Sequence, residues 1–148
     1  MASRREARRI ALDILCQADV VDRDPRVVLE EWAASGRAVP PFARELVAGT
    51  AAELSGIDAL LDRLARGWSV ERMPSVDRSV LRLAAYEVLH RDDVPDAVAI
   101  DEAVEAAKRL STEDSGRFVN GVLGRLVRER VPTDRAGMDE SAPPALED

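Results

Sequence analysis

Through residues 3–127 apolar side chains return every third or fourth position, and no stretch alternates apolar and polar residues over the length of a strand. A chain patterned this way can bury its apolar surface only by packing helices against one another. An all-α protein without a sheet is therefore expected. Only five residues are aromatic (Trp32, Phe42, Trp68, Tyr86, Phe118), so Leu, Val, Ile and Ala must fill the core. With 148 residues and 46% hydrophobic content, the chain can bury a real core as one domain or as two small fused bundles.

Local signals divide the pattern into about seven helices. Ser3 followed three residues later by Glu6 reads as a capping box opening the first helix. Ala7, Ile10, Ala11, Ile14, Ala18 and Val21 then fall on one stripe. Arg4, Arg5, Arg8 and Arg9 spread over a neighbouring arc of roughly 140°, so this helix is expected to dock inward and present guanidinium groups outward. Residues 22–25 close it, and a second helix covers about 26–34. Pro40 and Pro41 set the start of a third helix over about 42–54. Ile57, Leu60, Leu61 and Leu64 mark the fourth, ending near Gly67. Val76, Val80, Leu83 and Ala84 open a long fifth helix after Pro74. Residues 91–95 form a polar turn, Ile100, Ala103, Val104 and Ala107 mark the sixth helix, and Phe118, Val119, Val122, Leu123, Leu126 and Val127 the last.

Several function classes recede on composition. No apolar run approaches the ~18 residues of a membrane span, and the basic start is not followed by a compact apolar stretch with a cleavage site, so export is not expected. Cys16 is the only cysteine, which excludes an internal disulfide or a cysteine-based zinc site and fits a reducing cytoplasm. His90 is the only histidine and has no second histidine with which to build a relay. Asp92–Asp93 and Asp101–Glu102 fall in a turn or on helix surfaces, where charge runs are usually solvated. The glycines match neither a phosphate loop nor a dinucleotide fingerprint. No enzyme, metal or cofactor is expected. The net charge of −7 argues against a generic nucleic-acid binder, but it is unevenly placed: four arginines face one glutamate over residues 1–9, and five acidic residues face one arginine over 132–148. That last segment, polar and free of aromatics, is expected to be a disordered acidic tail after a helical domain spanning 1–131.

Three blocks in order give the pattern a family. SRREARRIALDILCQADV is followed by FARELVAGTAAEL and then by a long block containing VDRSVLRLAAYEV and EDSGRFVNGVLG. Together they cover about 3–127, and they closely resemble the NusB family of bacterial transcription antitermination factors. The resemblance implies two packed helical bundles and a non-enzymatic, cytoplasmic protein. It also implies binding to boxA, a single-stranded element of the nascent transcript, together with NusE, a small-subunit ribosomal protein. The assembly would join elongating RNA polymerase and other Nus factors on ribosomal RNA operons. Homodimers occur in the family.

By the same resemblance, Arg4, Arg5, Arg8 and Arg9 form an arginine-rich RNA-binding start to the first helix, guanidinium forks being suited to phosphate oxygens. Asp114 and Phe118 carry over as RNA contacts, with Phe118 placed to stack on an unpaired base beside helix-terminal donors. Arg82 is a further RNA-binding candidate. Asp77, in SVDRSVLR, is assigned to the NusE surface as a carboxylate for a basic partner residue. One departure matters: where many relatives read ALYQ, with a tyrosine that can contact RNA, this chain has Cys16, better suited to be a small buried hydrophobe. The rival reading is a stand-alone helical interaction module, self-associating and without RNA. Similar helical domains also precede RNA cytosine methyltransferase domains, but no Rossmann pattern follows here, so a catalytic part is not expected.

Overall fold

A computed structural model describes residues 2–136, and no strand occurs among them. Seven α-helices follow in order: α1 Arg4–Val21, α2 Pro25–Ala34, α3 Pro41–Ala52, α4 Leu54–Leu64, α5 Ser75–His90, α6 Asp96–Leu110 and α7 Glu113–Ala136, with a 3-10 turn at Val70–Arg72. The tail expected from residue 132 therefore begins inside α7, and residues 137–148 lie outside the described part.

Cap chemistry explains most of the boundaries. Ser3 has extended backbone, and its hydroxyl accepts the Glu6 N–H at 3.1 Å. Asp22 ends α1 in the left-handed region at φ 57°, where its own N–H reaches back to the last carbonyls. Proline stands at the cap or first position of α2, α3, α5 and α6, where a missing N–H costs nothing.

Helices α1 to α3 pack as one bundle and α4 to α7 as a second, and α5 runs through the junction touching α1, α3, α4, α6 and α7. Its Val80, Leu81, Ala84, Ala85 and Val88 are buried in a core that is continuous across both bundles. Where α3 crosses α5, the Tyr86 ring lies over Gly49 so closely that any Cβ there would collide with it.

The α1 stripe is wider than its sequence pattern suggests. Leu12, Leu15 and Arg8 are buried along with Ala7, Ala11, Ile14 and Ala18, whereas Val21 is 48% exposed. Packed against α2, α3 and α5, α1 is covered on more than one side, and only Val20 and Val21 at its end face outward among its large apolar residues.

Two ionic ties hold α1 antiparallel to α5. Near the start of α1, Arg8 Nε donates to both Glu87 oxygens at 3.0 Å and Nη2 to Oε1 at 2.8 Å, with the two side chains only 10% and 2% exposed. Near its end, Asp19 accepts from Ser75 Oγ at 2.7 Å, Arg78 Nη2 at 2.6 Å and Arg82 Nη1 at 3.1 Å. Burial pushes the Asp19 carboxyl up, but these donors and the charges of Arg78 and Arg82 outweigh it and hold it below the usual carboxylate range. Asp19 thus contributes stability that is present at neutral pH and lost as pH falls through its lowered value.

Removing one partner of the buried pair leaves a desolvated charge. Glu87→Ala is expected to cost roughly 3–5 kcal/mol in urea unfolding, while the double change Arg8→Leu/Glu87→Leu recovers most of that loss. Equal losses in the single and double variants would show that packing at this site, rather than the stranded charge, sets the cost.

Candidate nucleic-acid interface

The arginine-rich start of α1 does not present four equivalent cations. Arg8 turns inward onto Glu87, as described above, so it leaves the outward arc. Arg4 donates to Asp93 at 2.7 Å and lies 4.2 Å above the centre of the Phe42 ring, which also borders the guanidinium groups of Arg8 and Arg91. Hydrogen bonds from Arg91 and then Arg4 hold the Asp93 carboxyl far below its ordinary range. Arg5, highly exposed, donates to Glu102 at 2.9 Å. Arg9 is exposed and makes no side-chain hydrogen bond or ion pair among the described residues. Its charge acts on Asp13, as does that of exposed Arg109.

Between these arginines a cleft of about 260 Å³ opens between α1 and α6, with α5 as its floor. Arg5, Arg9 and Arg109 stand at its sides with Glu102 and Glu105, and Leu12, Val80, Leu83, Ala84, Ala99 and Ala103 give it an apolar base. The cleft follows α6 from the Arg5–Glu102 pair toward Arg109. Beyond it comes the start of α7.

At the start of α7, Thr112 caps the helix: its hydroxyl accepts the Ser115 N–H at 3.0 Å and its carbonyl the Gly116 N–H at 3.2 Å. Asp114 is exposed and paired with Arg117. Phe118 is half-buried, one side against the core, with its ring centre 6.2 Å from that of Trp68. Phe118 therefore packs while remaining partly exposed.

Two candidates sit differently from their sequence assignment. Arg82 is mostly buried, with Nε and Nη2 on Asp58 at 2.8 and 2.7 Å and Nη1 on Asp19. Burial lowers its tendency to hold a proton, but Asp58 and Asp19 more than compensate and raise it. Arg82 ties α4 and α1 to α5. Asp77 is 5% exposed; one oxygen accepts from Ser115 Oγ at 3.1 Å and the other has no partner. Cys16, as expected of a small hydrophobe, is half-buried against the core, and burial pushes its thiol up, so it is a packed rather than a reactive group.

The structure thus separates the candidates into two groups. Arg4, Arg5, Arg8 and Arg9 lie at the Glu87 end of α5, whereas Asp77, Asp114 and Phe118 lie at its start, about 15 Å away at 1.5 Å per residue along the helix. The α1–α6 cleft belongs to the first group, lined by Arg5, Arg8 and Arg9. Arg109 and Trp68 escaped the sequence reading; for each, the available signal was an exposed side chain beside a helix end, which a helical wheel does not reveal. No group of His, Cys, Asp or Glu able to hold a metal ion occurs among the described residues. No helix among them is long and apolar enough to cross a membrane.

Two fused helical bundles carrying an arginine-bearing cleft define an all-α protein of the two-bundle class. Residues 5–128 match the model of the NusB family, and the chain belongs to that family. It is 52% identical to the transcription antitermination protein NusB of Saccharopolyspora erythraea, an alignment covering 96% of this chain and 99% of the relative. The corresponding protein of Beutenbergia cavernae is 48% identical, with 86% and 91% covered. Among solved structures, NusB of T. maritima superposes with a TM-score of 0.78 at 42% identity over 86% of this chain and 92% of that one. A chain from a complex of antitermination factors NusB and NusE with double-stranded RNA gives 0.72 at 25% identity, covering 82% of this chain and 93% of that one.

Asp77 generates a direct test. Burial pushes its carboxyl above the ordinary range, against the opposing Ser115 hydrogen bond. The folded protein then holds this proton more tightly than the unfolded chain does, so the stability Asp77 contributes is fully present at low pH and lost as pH rises through its raised value. Asp77→Asn keeps an acceptor for Ser115 and removes the charge. The variant is expected to unfold at higher urea than the parent at pH 7, with the gap closing as pH falls through the carboxylate range. A lower midpoint at pH 7 would mean that the ionised carboxylate stabilises the free chain.

Proposed function

We propose that this chain is a non-enzymatic transcription antitermination factor that binds boxA RNA jointly with NusE and supports elongating RNA polymerase, with other Nus factors, on ribosomal RNA operons in the cytoplasm. The observation that carries the reading is the family match over 5–128 on a chain whose exposed Arg5, Arg9 and Arg109 line one cleft. We assign phosphate contacts to Arg4, Arg5 and Arg9, and base contacts to Phe118 and Asp114. Arg8 and Arg82 act through position, Arg8 by setting the register of α1 and Arg82 by bracing α5. Asp77 meets a cationic group of NusE, so the carboxylate that is unfavourable in the free chain becomes compensated in the complex. The helical domain over 1–131 carries these contacts and the acidic segment that follows carries none.

Binding, not catalysis, suits the chemistry available. His90 stacks on Tyr86 and lies 3.8 Å from Glu53 on an exposed helix end, which is no relay. On an acidic chain whose arginines are largely paired internally, RNA affinity alone is modest. A partner that adds contiguous contacts raises it without new chemistry on this chain.

The salt dependence of RNA binding tests the arginine end. Each phosphate neutralised on a single strand contributes about −0.7 to the slope of log K against log[salt]. Replacing Arg4, Arg5 and Arg9 with Gln while leaving Arg8 in place should keep the fold and NusE binding, and reduce the steepness of that slope by up to about 2. Adding NusE should tighten single-stranded boxA binding more than binding of the same sequence as a duplex, because Phe118 needs an unpaired base. An unchanged slope, or no RNA binding with NusE present, would leave the stand-alone interaction module as the better reading.

A further inference from the structure

We propose that Trp68, together with Arg66 and Arg72, forms a second single-stranded RNA contact: the indole is a stacking platform that extends Phe118 along the strand. This rests on the RNA-binding reading above and names residues that reading does not use.

Of the five aromatic side chains, Trp68 alone belongs to the exposed surface, at 47%; the other four are half-buried. An indole left in water is costly, and this one is not exposed because its loop is loose. Gly67, at φ +81°, turns the chain out of α4 in a conformation that a side chain would strain. The Trp68 N–H closes the turn on the Ala65 carbonyl at 2.9 Å. Asp62 accepts the Val70 N–H at 2.7 Å, and Arg78 Nη1 donates to the carbonyls of Val70 and Met73 at 2.9 and 3.1 Å. Val70 and Met73 are buried beneath. The loop is built, and it holds the indole outward.

The ring meets Phe118 at 6.2 Å between centres, tilted by 53°. In that arrangement neither ring lies flat on the other, so Phe118 does not cover the face of the exposed indole. Charge selects the occupant. Arg66 and Arg72 flank Trp68 in sequence, both are exposed, and neither guanidinium makes a hydrogen bond or ion pair among the described residues. That contrasts with Arg4, Arg5 and Arg8, whose guanidinium groups are committed to acids. Against these two cations the same loop offers Glu71. An exposed aromatic ring flanked by uncommitted arginines is the composition that grips single strands, bases stacking on the ring while the cations track phosphates. The indole also supplies a stacking surface on a chain whose Cys16 has none.

The test uses the intact chain carrying Trp32→Phe, so that Trp68 is the only indole, with fluorescein-labelled single-stranded boxA RNA and NusE present. Anisotropy reports RNA binding, and indole emission reports contact at Trp68. We expect emission to be quenched over the same RNA concentrations that raise anisotropy. Trp68→Leu should weaken RNA binding about 5- to 100-fold while Trp68→Phe retains most of it. Since the side chain is exposed, neither substitution should disturb folding, checked by the urea midpoint. RNA binding with unchanged emission and full affinity in Trp68→Leu would overturn the proposal while leaving the proposed function standing. Loss of NusE binding in Trp68→Leu, with RNA affinity intact, would overturn it in favour of a protein contact. Absence of RNA binding in the parent would remove both readings.

Discussion

The buried pairing of Arg8 with Glu87 fixes where everything else in this protein can be. It joins the first turns of α1 to the last turns of α5, and the Asp19–Arg78–Arg82 cluster repeats the tie at the opposite ends of the same two helices. Two anchored points set the register of an antiparallel helix pair and leave no freedom to slide. A buried ion pair of this kind adds little net stability compared with apolar side chains of similar volume, but a mispaired arrangement strands charges in the core and is heavily penalised. The seam between the bundles is therefore specified by charge and filled by small aliphatic residues. Once α1 is seated, Arg5 and Arg9 are placed along one wall of the α1–α6 cleft. Arg82, through Asp58, then locates α4, and the loop after α4 carries Trp68.

This arrangement bears on how an acidic chain can hold a polyanion. Internal pairing consumes most of the guanidinium charge at the start of α1, and Asp93, Glu102 and Glu87 are the acceptors. Phosphates approaching Arg4 or Arg5 must displace those exposed carboxylates, an exchange of one exposed pair for another that yields little. Arg9, Arg66, Arg72 and Arg109, which have no such competitor, are the cations from which a strand gains most. Affinity on such a surface is spread over weak contacts, some 15 Å apart along α5. A protein partner that holds the strand at one end turns the remaining contacts into intramolecular events.

The helix boundaries were legible because they rest on local chemistry: Ser3 with Glu6, Asp22, and the prolines before α3, α5 and α6. The identity of the family was legible in EDSGRFVNGVLG and VDRSVLRLAAYEV. What a helical wheel could not reveal is that α1 is covered on two sides, so Arg8, which falls on the outward arc by angle, is claimed by Glu87 from a helix nearly eighty positions later. Arg82 and Asp77 were drawn inward for the same reason, by Asp58, Asp19 and Ser115 on other elements. Trp68 left no periodic trace because it stands on a turn between helices. Its exposure depends on Arg78 and Asp62 pinning that turn, a tertiary fact.

Amide hydrogen exchange with and without saturating single-stranded boxA RNA, in the presence of NusE, tests most directly whether one strand crosses both ends of this framework. Exchange reports local opening segment by segment, so the two ends are read independently in one experiment. The account predicts added protection at residues 4–9, and again at 66–72 and 113–118, with α2 unchanged. Protection absent from both ends, or confined to α2 and α3, would contradict it.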